Sequence, residues 1–125
     1  MGLFDKNTSK LPQQWIMLSA TKQLHDIINA SHERPQVIFK DSTSCGISAG
    51  VKQGLVGDWD KVADQADLYY LDLLSHRDIS NNIADMSGVT HQSPQVIIYH
   101  NGEVVADTSH FAINVKFIED VLDGL

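Results

Sequence analysis

The chain has 125 residues, 42% hydrophobic and 20% charged, with a formal net charge of −7. That size and balance suit one domain able to build a core without disulfide or metal staples, and they exclude a disordered chain. The nine Lys and Arg are scattered, which with the acidic excess argues against a nucleic-acid partner; the single cysteine excludes an internal disulfide framework and a cysteine-rich zinc site.

Residues 1–15 read as a polar lead-in, with charge at Asp5 and Lys6 and no apolar signal-like core. No apolar run reaches membrane-spanning length, so a cytoplasmic protein without a membrane partner is expected. Trp15, Ile16 and Leu18 start the packed part. Across residues 21–31, Leu24, Ile27 and Ile28 recur at i, i+3, i+4 and predict a helix with one buried face. Pro35 ends it, and "QVIFK" at 36–40 reads as a strand covered on both faces.

After Cys45 the period changes. Ile47, Val51, Leu55 and Trp59 lie four apart, along one side of a helix, and Gly46, Gly50 and Gly54 share that spacing. An interior helix glycine costs about 1 kcal/mol relative to alanine, so close packing is expected at Gly50 and Gly54. The acidic run at 58–67 reads as a solvated face, and "DLYYLDLL" at 67–74 as a second buried strand. Ile79, Ile83 and Met86 mark a helix that Gly88 caps. Residues 96–99 and 103–106 are β-rich and joined by His100-Asn101-Gly102, a hairpin signal. A last helix starts after Asn114 as N-cap, with Ile118, Val121 and Leu122 inward. The order is β-α-β-α-β-β-α behind an extra helix. It predicts an α/β, thioredoxin-like fold: a single domain over 1–125, with a central mixed sheet flanked by helices.

On that order, Cys45 in "STSCGIS" stands where the first clear strand hands over to the next helix. A helix N-terminus offers unpaired N–H groups and the positive end of the macrodipole, both of which favour a thiolate. Ser42, Thr43, Ser44 and Ser48 add hydroxyl donors, Gly46 removes bulk beside the sulfur, and Lys40 brings a cation to the end of the strand. The local alternative is a buried, inert thiol. Ser93-Pro94 opens the hairpin strand, where a thioredoxin-like architecture sets a cis-proline against the active cysteine; Ser93 and Pro94 are therefore the candidate substrate-binding residues. The six histidines follow no ligand spacing, and no metal is expected; His91 and His110 are candidate neighbours of the site rim.

"TSCGIS" together with "VTHQSPQVIIYHNGEVVADTSHF" resembles the monothiol bacilliredoxins of the YtxJ-like type, over roughly residues 21–122. The resemblance implies a thiol–disulfide oxidoreductase that takes bacillithiol from protein mixed disulfides onto its own cysteine. Cys45 would be the nucleophile and Pro94 the cis-proline of the substrate groove. Bacillithiol would be a co-substrate rather than a bound cofactor, and S-bacillithiolated proteins the partners. Members often carry Pro after the cysteine, where this chain has Gly46. A monomer is expected, with a disulfide dimer through Cys45 open to it. "CGIS" also looks like the CGFS signature of monothiol glutaredoxins, which bind glutathione and can carry an iron–sulfur cluster. Their later Gly-Gly plus acidic pair has no match in "DTSHFAINV", so that reading ranks second. A non-catalytic thioredoxin-fold binding module is the alternative outside enzymes.

Overall fold

The computed structural model describes residues 11–43 and 46–125. Strands β1 (Ile16–Met17), β2 (Gln36–Asp41), β3 (Asp67–Asp72), β4 (Gln95–His100) and β5 (Glu103–Ser109) form one sheet in the order β1-β3-β2-β4-β5. β1 and β2 run parallel to β3, whereas β4 is antiparallel to both β2 and β5, so the sheet is mixed. Four α-helices flank it: α1 (Gln23–Ala30), α2 (Gly46–Asp58), α3 (Arg77–Ser87) and α4 (Val115–Asp123). Short 3-10 helices follow α2 at Trp59–Lys61 and β5 at His110–Ala112.

The strands alternate their side chains between two cores, as the two-residue period of a strand requires. Val37, Phe39, Leu68, Tyr70, Val96 and Ile98 face α2 and α4, where Leu55, Trp59 and Ile118 meet them. Ile38, Tyr69, Leu71, Ile97 and Tyr99 face α1 and α3, against Ile27, Ile79 and Ile83. This double burial explains the continuous apolar runs of β2 and β4. Trp15 belongs to the first core: its ring stacks on Tyr70 at 5.9 Å and meets Phe39 and Trp59 edge-on at 6.0 Å.

Local chemistry sets the element ends. Asn114 Oδ1 accepts the Phe117 N–H at 2.8 Å, a side-chain N-cap for α4. Gly88, at φ 74°, closes α3 in the left-handed conformation. Asn101 and Gly102, at φ 54° and 82°, make the two-residue turn that joins β4 and β5. The turn is tied to the end of α1, because Asn101 N–H donates to the Ser31 carbonyl at 2.8 Å and Gly102 N–H to its Oγ at 2.9 Å.

The helix marked by Ile79, Ile83 and Met86 is α3; Ile79, Ser80 and Ile83 form its buried stripe, and Met86 is 38% exposed. Two expectations need correction. Leu74 lies beyond the second buried strand, which ends at Asp72. The α2 glycines do not pack closely: Gly50 and Gly54 are exposed, and a methyl group added at either would have open space within 4 Å. The four-residue spacing was real, but Ser48, Val51 and Leu55 bury the opposite face of that helix. Gly50→Ala and Gly54→Ala are therefore each expected to raise stability by up to about 1 kcal/mol. The check is the urea midpoint at unchanged m-value; a lowered midpoint would reveal a close approach to the backbone there.

Candidate active site

The end of β2 is where the apolar strand becomes charged. Lys40 and Asp41 are consecutive, so they point to opposite faces of the sheet, and both are buried. Asp41 joins the α2 side. Its Oδ2 accepts the Tyr70 hydroxyl hydrogen, and Lys52 Nζ of α2 lies 4.0 Å from the same oxygen. Lys52 also sits 5.3 Å from the centre of the Tyr70 ring. Burial pushes the Asp41 carboxyl above its ordinary range, and the Tyr70 hydroxyl, Lys52 and Ser48 oppose that rise only in part. Burial, and then the bond to Asp41, push the Tyr70 phenol upward as well, so it stays a donor.

The chain then turns towards α2. Ser42 is buried, and its N–H donates to Ser48 Oγ at 3.3 Å, which ties the outgoing backbone to the first turns of the helix. Thr43 and Gly46 are exposed. Ser44 and Cys45, two of the predicted site residues, lie outside the described residues. A cleft of about 520 Å³ borders this segment, with Asp41, Ser42 and Thr43 on one wall and Ala49, Lys52 and Gln53 on the other. A buried carboxyl with a raised pKa at the wall of such a cleft can exchange a proton with a group held there.

Ser93 and Pro94 come to the same end of the sheet. The β2–β4 ladder reaches Lys40↔Gln95, which sets Pro94 beside the last residue of β2. The Ser93–Pro94 peptide bond is cis, and the Pro94 carbonyl accepts the His110 N–H at 3.0 Å. Ser93 Oγ is buried without a hydrogen-bond partner among the described residues. The structure thus brings Ser42, Thr43, Gly46 and Ser48 together with Ser93, Pro94 and His110.

On the other face, Lys40 is fully buried, and burial lowers its pKa to about 8. Its ladder partner Gln95 braces the loop before β4, donating to the Thr90 carbonyl at 2.9 Å and accepting the Gln92 N–H at 3.4 Å. His91 in that loop has Nδ1 3.5 Å from Ser80 Oγ, and burial, Lys40 and Arg77 lower its pKa, in that order.

Sequence reasoning missed Asp41, Lys52 and Tyr70. The available signal was a charged pair, Lys40-Asp41, ending an apolar strand just before the cysteine segment. Two expectations follow. Because folding raises the Asp41 pKa above 3.8, its contribution to stability is complete below that pH and is lost as pH rises through the folded value. Asp41→Asn should remove this fall, read by urea unfolding as pH rises from about 4, and an unaltered profile would reject the assignment. Lys40→Met should raise the His91 pKa in an NMR titration, since one of its two repelling cations is gone; no rise would show that the two do not interact.

Known proteins give this geometry a place. The sequence model of the family "monothiol bacilliredoxin BrxC" matches residues 16–118. A solved structure described as a candidate oxidoreductase with a thioredoxin fold is 31% identical, with a TM-score of 0.72, covering 86% of this chain and 92% of its own. Thioredoxin O2 from Arabidopsis thaliana, in the oxidised state, superposes with a TM-score of 0.65 at 16% identity, over 90% of this chain and 94% of its own. Fasciola hepatica thioredoxin does so with a TM-score of 0.66 at 18% identity, over 86% and 97%. The last two show the fold alone. With one cysteine in the whole chain and the family match spanning it, the protein is a thioredoxin-fold redox protein that belongs to the monothiol bacilliredoxin family.

Proposed function

We propose that this chain removes bacillithiol from mixed disulfides on other proteins, with Cys45 as the nucleophile. The Cys45 thiolate attacks the bacillithiol sulfur of the target's mixed disulfide. A new S–S bond to Cys45 forms as the bond to the target breaks. The target sulfur leaves with the electron pair and takes a proton, so the target cysteine is reduced as Cys45 is oxidised. A second bacillithiol thiolate then attacks the bound bacillithiol sulfur, releasing the Cys45 thiolate and oxidised bacillithiol. The compartment for this chemistry is the reducing cytoplasm, and S-bacillithiolated proteins are the partners.

The observation that carries the reading is the family match over residues 16–118, which contains the only cysteine. The neighbourhood supports it. Ser42 and Ser48 hold the segment that leads to Cys45, and the cis-proline loop stands beside that segment. Ser42, Thr43, Ser44, Gly46 and Ser48 would favour the thiolate, and Ser93 and Pro94 would orient the incoming disulfide. Asp41, buried with a raised pKa, would supply a proton to the leaving sulfur.

Mass spectrometry of the reduced protein with oxidised bacillithiol, and separately with oxidised glutathione, tests the reading. A rapid adduct on Cys45 from bacillithiol and a slow one from glutathione are expected. Cys45→Ser should reduce removal of bacillithiol from a labelled target protein to background. Undiminished removal by that variant would sink the mechanism, and equal adducts from both thiols would reassign the substrate.

A further inference from the structure

Among the described residues, the most exposed large apolar side chain stands beside the proline loop. Phe111 is 78% exposed, whereas Ile113 and Val115, two and four residues on, are buried. Single surface hydrophobes are common, and exposure alone says little. Phe111 differs in how firmly it is held out. It is the middle residue of the 3-10 turn His110–Ala112. The His110 N–H donates to the Pro94 carbonyl at 3.0 Å, and the Ile113 N–H closes the turn on the His110 carbonyl at 3.3 Å. Asn114 then caps α4, so the turn is tied at both ends, and it packs against α2. His110 has φ 57°, a left-handed conformation that is costly for a residue with a Cβ. The ring that follows it buries little in return.

The segments around this turn share one property that the rest of the chain lacks. Residues 46–51 of α2, 88–94 of the proline loop and 108–115 of the turn contain no Asp, Glu, Lys or Arg, although 20% of the chain is charged. Gly46 and Ala112 are exposed as well, so small uncharged residues accompany the ring. A strained backbone that presents an apolar side chain is kept where that side chain has a use. A neutral surface with one large ring gains by covering apolar groups, and it offers no charge for steering an ionic one.

We propose that Phe111 is a docking contact for the protein that carries the mixed disulfide, and that it takes an apolar side chain beside the modified cysteine. The proposal rests on the thiol-exchange reading and adds to it the chemistry of the preferred target. A protein that delivers its sulfur to Cys45 has to cover Gly46, the next residue, and the Pro94 loop. The turn bonded to the Pro94 carbonyl falls under the same footprint. Cysteines flanked by Leu, Ile, Val or Met are therefore selected over cysteines flanked by hydroxyl residues.

Two matched peptides test it, each with one cysteine carrying 2-mercaptoethanol as a mixed disulfide, flanked by leucines in one and by serines in the other. The rate at which the reduced protein consumes each is measured, and the ratio is taken. Wild type is expected to favour the leucine peptide by about fivefold, as the burial of one or two methylene groups gives, at low and high salt alike. Phe111→Ser should bring the ratio to one while leaving the rate with 2-hydroxyethyl disulfide unchanged, and Phe111→Leu should keep most of the preference. A wild-type ratio near one, a ratio lost at high salt, or one that survives in Phe111→Ser overturns the contact. Sedimentation of Cys45→Ser is expected to show a monomer; a dimer that Phe111→Ser disperses gives the face to a second copy and overturns the proposal. If neither peptide reacts, the exchange reading fails, and docking is judged by adding the reduced peptides to Cys45→Ser. A saturable shift of the Phe111 ring resonances with the leucine peptide alone upholds the contact, and equal shifts or none overturn it.

Discussion

β2 is buried along its whole length, yet its last two residues are charged. Because successive strand residues face opposite sides, Lys40 and Asp41 deliver one buried cation to one core and one buried acid to the other. Neither can be solvated by bulk water, so each depends on what its own face supplies. Asp41 is met by Tyr70 and Lys52; among the described residues Lys40 meets no carboxylate. The polar chemistry at this end of the sheet, from the bordered cleft to the loop carrying His91, is arranged around that alternation. Moving the register by one residue would exchange the two environments and strand both charges.

Most of the architecture was legible because its signals are local. The apolar run of β2, the Asn-Gly turn, the Gly88 cap and the Asn114 cap each rest on residues close in sequence, and each appears where those residues stand. β1 was not legible. It has two residues, both exposed, and exists only because Ile16 and Met17 pair with Tyr69 and Tyr70 of β3. The α2 glycines misled for a related reason: a four-residue spacing names a helix face but not which face turns inward. Ser48, Val51 and Leu55 settle that through partners elsewhere in the chain.

The candidate site divides in the same way. Ser42, Ser48, Ser93 and Pro94 were readable as a group from element order, since the end of a strand, the start of the next helix and a Ser-Pro dipeptide converge in this fold. Asp41 and its partners were not, because Tyr70 is 29 residues away and burial, which gives the acid its raised pKa, is a property of the packed molecule. Lys40 was seen as a cation near the cysteine segment. Its strand position instead turns its side chain towards α3 and away from α2, the helix that follows the cysteine.

Ser31 ties the hairpin tip to the end of α1 across 71 residues, and it does so twice, through its carbonyl and through its hydroxyl. The tip of a hairpin and the end of a short helix are ordinarily the first parts of a domain to fray. Joined here, each restrains the other, because the Asn101 and Gly102 amides can exchange only when their bonds to the end of α1 open. The edge strand β5 is thereby anchored at its turn by the end of a helix. At the other end of the hairpin, His110, just past β5, donates its N–H to the Pro94 carbonyl. The fold thus connects one end of the sheet to the proline loop at the other through backbone hydrogen bonds, with the Ser31 hydroxyl as a side-chain link at the hairpin tip.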